Sequence, residues 1–442
     1  MHCVHLIAIK IARMKYLPID SNLFIKNRKK LTKAMKKNAL AIFNSNDIMP
    51  TNADGTMSFR QNNDLFYLSG VDQEETILVV FPDAPLEKYR EILFLKETNE
   101  EIAIWEGEKL TKETAQKATG IKTIFWLQDF EKTLRTIMYE AETIYLSDNE
   151  HLRAAPTVQT RNDRFKEWIK KEYPEHQYTR VAPITDYIRS IKEEEEVDLM
   201  QKACNITATG VDRILKFIKP GVMEFEIEAE LMHEFLRSRS RGFAYSPIIA
   251  SGFNACVLHY IENNQECKEG ELILMDFGAE YANYASDLTR TVPVSGKFTD
   301  RQKAVYNSVL RVMRGAENIL KAGITLIDYH AQVGEMMTKE LLELGLITSE
   351  EVKNQDPAWP AYKKYFMHGT SHYIGLDVHD VGSWYKPIEE GMAFTIEPGI
   401  YIREENLGIR LENNYLITKD GNKDLMAHIP IEIDDIEKVM NA

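Results

Sequence analysis

The chain has 442 residues, 44% of them hydrophobic and 10% aromatic, with a formal net charge of −14. That is too long for one ordinary core and predicts two domains. So acidic a chain lacks the basic face a nucleic-acid partner would want, and nucleic-acid binding is excluded as an expectation.

The N-terminal stretch "MHCVHLIAIKIARMKYLP" has no basic n-region, Lys10 interrupts its apolar run, and no small-x-small cleavage site follows. It does not read as a signal peptide. Met14 is a plausible start, with residues 1–13 an upstream extension. No run approaches the roughly 18 apolar residues a membrane helix needs, so no membrane partner is expected. The four cysteines, Cys3, Cys204, Cys256 and Cys267, form no CxxC pair. They read as reduced thiols of a cytoplasmic protein, with a Cys256–Cys267 bridge as the open alternative.

Asn22–Leu40 has helical spacing, with Leu23, Leu31, Met35 and Ala39 on the apolar side and the basic run Lys26–Lys37 as its solvated face. "AIFNSN", "LFYLSG", "ETILVVFP", "YREILFLK" and "ETIYLSD" read as strands, rich in β-branched and aromatic residues. Short helices between them predict an α/β domain, a mixed sheet with helices on its faces. A boundary is expected near Pro183, giving domains 1–185 and 186–442. Ser190 and Glu193 fit a capping box for a long helix that stops at Pro220-Gly221. The four glutamates of its first turn suit the helix dipole rather than a metal. A second helix, "EFEIEAELMHEFLRSR", carries half of an HExxH pattern, but Arg237 stands where the second histidine belongs. From Ser246 onward, hairpin-like strands with an inserted helical pair (Asp300–Leu320 and Asp328–Leu344) predict an α+β domain. No GxGxxG, P-loop or GxSxG stretch occurs.

Two stretches carry the chemistry. In "LILMDFGAEYANYASDLTRTVPV" an apolar strand runs into Asp276, and Asp287 follows on the return strand. A hairpin centred on residues 281–282 sets the two aspartates opposite each other, Cβ atoms about 4.5–5.5 Å apart. In "AFTIEPGIYIREENLGIRLENNYLI" the same reading centred on 404–405 opposes Glu397 and Glu412. The repetition hints at pseudo-symmetry. Between them lies "HGTSHYIGLDVHD", with His368, His372 and His379.

Alone, Asp276 reads as a cap or turn residue, Glu397 as a strand end and His379 as a core histidine. Together, four carboxylates and an imidazole balance two dications of the Mn²⁺ or Co²⁺ kind. Two ions roughly 3.5–4 Å apart activate water and polarise a carbonyl, which is the chemistry of hydrolysis.

"MDFGAEYANYASDLTRT", "HGTSHYIGLDVHD", "FTIEPGIYI" and "GIRLENN" resemble the metal-ligand motifs of the pita-bread metallopeptidases, aminopeptidase P above all. "FRQNNDLFYLSG" is similar to that family's N-terminal-domain signature. The resemblance implies a pseudo-symmetric antiparallel sheet with helices on its outer face. It implies Asp276, Asp287, His372, Glu397 and Glu412 as ligands of a dinuclear site, Asp287 and Glu412 bridging and Glu397 doubling as acid/base. Mn²⁺ is the implied metal, with Co²⁺ or Zn²⁺ as alternatives. His259, His368 and His379 match the substrate-binding histidines, and Arg410, on the same strand face as Glu412, would hold an acidic ligand in place. The implied substrates are peptides with proline second, and the implied assembly a dimer or tetramer. Asn413 and Asn414 stand where the family often has a further acid. Prolidase is the alternative activity. A non-catalytic binding protein on the same shell is disfavoured by the full ligand set.

Overall fold

The structure, a computed structural model, describes residues 15–442; the expectations about residues 1–13 and Cys3 lie outside the described residues. The chain divides into two compact units between Arg189 and Ser190.

The first unit is built on a six-stranded mixed sheet: β1 (Ala39–Asn44), β2 (Ile77–Val80), β3 (Glu91–Leu95), β4 (Thr123–Trp126), β5 (Thr143–Leu146) and β6 (Gln177–Arg180), in the order β4-β3-β2-β1-β5-β6. The first two connections are antiparallel, and β3–β4, β1–β5 and β5–β6 are parallel. Leu40, Ile42, Val79, Ile92, Phe94 and Ile144 point to one face and bury against Phe130, Leu134 and Ile169 of two covering helices. Alternate residues such as Ala41, Phe43 and Leu78 are also buried, so the sheet is covered on both sides, as parallel pairing requires.

Three local expectations are corrected here. "LFYLSG" belongs to a helix, Asn63–Ser69, because Asn62 caps its start through Leu65 N and Gly70 ends it in the left-handed conformation. The first helix stops at Ala34, not Leu40. Within its basic run, Arg28 is fully buried, donating from Nη1 to the Leu68 carbonyl at 2.8 Å and pairing with Glu91 at 3.0 Å.

In the second unit the long helix runs Glu194–Phe217, and its capping box is Glu193 with Glu196 rather than Ser190 with Glu193. Ser190 instead ends a separate helix, Ala182–Ser190, which tolerates Pro183 in its first turn. Glu194–Phe217 packs on Glu224–Arg237, and Asp300–Ile319 packs on Leu326–Glu343. These two helix pairs flank two antiparallel sheets. One contains β7 (Ile248–Ser251), β8 (Leu272–Phe277) and β11 (Leu288–Pro293), with β9 (Glu280–Tyr281) and β10 (Tyr284–Ala285) closing its hairpin. The other contains β12 (Ala393–Ile396), β15 (Asn413–Thr418) and β16 (Gly421–Asp424), with the β13 (Gly399–Ile402) and β14 (Leu407–Arg410) hairpin projecting from it. A bridge between Thr289 and Glu412 joins the halves. The fully buried Arg290 fastens that seam, donating to the carbonyls of Glu412 and Pro430 at 2.8 Å and to Asn413 Oδ1 at 2.8 Å.

Among the described residues no helix is long and apolar enough to cross a membrane. Cys204, Cys256 and Cys267 are free thiols.

Candidate metal centre

The two acid-bearing hairpins differ in how their turns set register. In the second, the β12–β15 and β13–β14 pairings keep one register, Ile396 opposite Asn413 and Gly399 opposite Arg410. Glu397 therefore stands across from Glu412, as the sequence spacing indicates. In the first, Ala282 and Asn283 both take positive φ and make a two-residue turn between Tyr281 and Tyr284, the geometry that matches strand twist. Its centre is later than 281–282, and Asp276 pairs with Thr289 instead of Asp287. The slip is an even one, so both aspartates stay on the same face. Asp287 falls beside Gly278, where a Cβ would lie 1.7 Å from the Ser286 carbonyl oxygen. Only glycine allows the chain to come that close.

Three groups converge. Asp287, His372 and Glu412, all buried, each offer a ligand atom, and these atoms lie within 4.8 Å of one another. Asp276 and Glu397 flank them. The hydroxyl of half-buried Tyr245 reaches Asp276 Oδ1 at 2.6 Å and also Asp287 Oδ1. His372 Nε2 is 3.4 Å from Asp287 Oδ2 and 3.5 Å from Glu397 Oε1. Its Nδ1 donates to the Tyr373 carbonyl at 2.9 Å, which turns Nε2 toward the acids, the tautomer a ligand histidine needs. Asn414 grips the Asp287 backbone from both sides, accepting from its N–H at 3.0 Å and donating to its carbonyl at 2.7 Å. That use of Asn414 accounts for an amide where an acid was the alternative.

Burial dominates the electrostatics. It pushes Glu397 up to about 7, with His372 opposing and Asp287 reinforcing the shift. It drives Glu412 well above the usual carboxylate range, helped by Asp287, Glu397 and Asp276. Asp276 is raised by burial, against the pull of Arg410. Burial disfavours protonated His372, but the hydrogen bond to Asp287 and the charges of Glu397 and Asp287 leave it raised overall. Glu412 Oε1 is buried with no hydrogen-bond partner. Carboxylates crowded at such cost around an orphaned oxygen fit a divalent cation, which supplies the missing charge and the missing contact.

Arg410 pairs with one of the acids: Nη2 meets Asp276 Oδ2 at 2.5 Å, Nε donates to Thr289 Oγ1 at 3.1 Å, and Nη1 donates to the Tyr401 hydroxyl at 2.8 Å. Tyr401 in turn lies 2.8 Å from His368 Nε2, while His368 Nδ1 donates to the Gly369 carbonyl at 2.8 Å. Burial and the Arg410 charge push His368 down to about 3, so it is neutral at pH 7. His379 is exposed and stands edge-on to His372, ring centroids 4.4 Å apart. His259 is exposed on the loop after β7, near enough for its charge to weigh on His368.

Thr289, Tyr401 and Tyr245 were not anticipated. Thr289 Oγ1 donates to Glu412 Oε2 at 2.7 Å. Strand alternation places Thr289 on the face of Asp287 and Tyr401 on the face of Glu397, a signal available in the sequence. Tyr245 has no such signal.

Residues 198–419 match metallopeptidase family M24, and residues 24–145 match the aminopeptidase P N-terminal domain. A Haemophilus influenzae Xaa-Pro aminopeptidase is 34% identical over 98% of this chain and 100% of its own length. The chain belongs to the aminopeptidase P family of M24 metallopeptidases. An Escherichia coli Xaa-Pro aminopeptidase is 30% identical over 95% of this chain and 97% of its own. The solved E. coli aminopeptidase P superposes with a TM-score of 0.87 at 29% identity, covering 96% of this chain and 99% of that one. A zinc-substituted form of that enzyme with product superposes equally well. The two-domain α/β plus pita-bread architecture is that of the family, and the chain is a metal-dependent peptidase. The matched N-terminal domain and the full-length relatives favour the aminopeptidase over prolidase.

Proposed function

We propose that the protein removes the N-terminal residue from peptides with proline in second position, using two divalent ions, Mn²⁺ in the cell. The observation that carries the reading is the convergence of Asp287, His372 and Glu412 around an unpartnered Glu412 oxygen. Asp276, Asp287, His372, Glu397 and Glu412 would hold the ions. When bound, the ions supply Lewis acidity toward the scissile carbonyl and lower the pKa of the attacking water.

The chain's own residues do the rest. Glu397, raised to about 7 by burial, carries a proton from the attacking water to the prolyl nitrogen as the bond breaks. Proline's tertiary amide has no N–H for an ordinary peptidase to bind, so the leaving nitrogen must be served from this side. His259, His368 and His379 bind the substrate and steady its carbonyl oxygen. Arg410 fixes Asp276, and through Tyr401 it fixes His368.

The three free thiols support a cytoplasmic setting. Large exposed side chains on the first unit, Trp105 at 85% and Ile104 at 79%, support a dimer or tetramer, which light scattering would read. The test of activity compares a Xaa-Pro dipeptide with a Xaa-Pro-Yaa tripeptide after chelation and again with Mn²⁺ restored. Metal-dependent cleavage of the tripeptide is the expected result. Cleavage of the dipeptide alone would move the activity to a dipeptidase, and cleavage of neither would overturn the reading.

A further inference from the structure

Glu224 is a fully buried carboxylate that, among the described residues, forms no ion pair. It opens the Glu224–Arg237 helix, where the dipole favours a negative charge. Four donors converge on it. Oε1 accepts from Ser251 N at 2.8 Å and Ser251 Oγ at 2.7 Å; Oε2 accepts from the Tyr260 hydroxyl at 2.7 Å and Gln265 N at 2.9 Å. The Glu224 N–H donates back to the Gln265 carbonyl at 3.0 Å.

Those partners mark one loop. Ser251 is where it leaves β7, Gln265 is near its return, and Tyr260 adjoins His259. A second tie runs beside the first: Asn263 donates to Glu228 Oε2 at 2.8 Å and to the Pro247 carbonyl at 3.0 Å, and accepts from Ile249 N at 2.9 Å. His259 itself is exposed between half-buried Leu258 and buried Tyr260. The loop around it is held by Ser251, Tyr260, Asn263 and Gln265, and its ring is exposed. Only an ionised carboxylate accepts at both oxygens and donates at neither, so it alone satisfies two backbone N–H groups and two hydroxyls at once.

We propose that Glu224 is a positioning residue for the peptidase reaction: its carboxylate draws both ends of the Ser251–Gln265 loop together and so sets where His259 meets the substrate. This rests on the reading of His259 as a substrate-binding histidine. Glu224 touches neither the proposed ligands nor Arg410, so it acts on the reaction only through the loop.

The test is a double-mutant cycle on the Mn²⁺-loaded enzyme with a Xaa-Pro-Yaa tripeptide, using Glu224→Gln and His259→Ala. In Glu224→Gln an amide N–H2 replaces one acceptor and breaks half of the clamp. The expected result is a loss in kcat/KM of about tenfold or more for each single variant, and no further loss in the double variant. The Mn²⁺ concentration giving half-maximal activity should stay unchanged in Glu224→Gln, and amide exchange at Ser251 and Gln265 should quicken. An equal loss from Glu224→Gln with or without His259 would overturn the proposal, as would a silent Glu224→Gln beside a damaging His259→Ala. A silent His259→Ala would instead overturn the role of His259, and the clamp's target with it. Should Glu224→Gln fail to fold, Tyr260→Phe, which deletes one hydroxyl next to His259, carries the same cycle with the same outcomes.

Discussion

Arg410 Nη2 lies 2.5 Å from Asp276 Oδ2, and both side chains are nearly closed to solvent, at 5% and 15% exposure. The remaining nitrogens of the guanidinium are engaged by Thr289 and Tyr401. One cation thus orients an acid of the cluster and a hydroxyl that reaches His368. Lysine's single ammonium nitrogen cannot reach three separate partners as the planar guanidinium fork does. Arg410→Lys is expected to weaken metal binding roughly 10- to 100-fold, read by titrating Mn²⁺ into chelator-treated protein. An unchanged affinity would remove Arg410 from its supporting role.

Glu397 makes a pH-dependent contribution whose sign is fixed. Its folded pKa, about 7, lies above its ordinary 4.5, so the folded protein binds the proton more tightly than the unfolded chain. Its contribution to stability is full below pH 4.5 and is lost as pH rises through 7. In metal-free protein, Glu397→Gln should match the wild type near pH 4.5. At pH 8 it should be more stable, by on the order of 3 kcal/mol. Urea melts in chelator at the two pH values decide it, and an equal effect at both would refute the shift.

Lys192 and Asp380 form an ion pair with side chains 3% and 1% exposed, Nζ to Oδ2 at 2.8 Å. It closes the loop that carries His372 and His379, and a Cβ on Gly375 would lie 2.2 Å from Asp380 Oδ2. Removing Lys192 takes a buried positive charge away from the buried Asp380 carboxylate. Lys192→Met should therefore cost about 3–5 kcal/mol, and Lys192→Met with Asp380→Leu should recover most of it. Thermal and urea melts of the three proteins test this; a double variant no better than the single would contradict it.

Gly278→Ala should damage the first acid hairpin directly. The added carbon meets a backbone oxygen, which cannot rotate away. A loss of at least about 3 kcal/mol is expected, together with loss of Mn²⁺ binding. A folded, metal-binding variant would mean the hairpin yields there.

Much of this site was legible in the sequence because strand alternation is rigid. Once Glu397 and Glu412 are placed on two strands joined by a polar turn, their facing follows. The aspartate hairpin was read one position early at its centre, because the positive φ of Ala282 is invisible in an alanine; Asn283 was the clue. "LFYLSG" misled because a short apolar run suits strand or helix equally, and the deciding residues, Asn62 and Gly70, flank it. Arg28 and Glu224 could not be found from local pattern. Each is a buried charge whose partners lie far along the chain, so only the tertiary structure states why it is there.

The two hairpin ends also differ in how much change they tolerate. Ala282 and Asn283 are buried, and their turn has no residue to spare. Arg403, Glu404, Glu405 and Asn406 are all exposed, and the facing of Glu397 and Glu412 is already pinned by β12 and β15 behind them. A tag or a reporter peptide spliced into residues 403–406 would hang from the hairpin's outer end, while the same splice at residues 282–283 would pull the aspartates out of line.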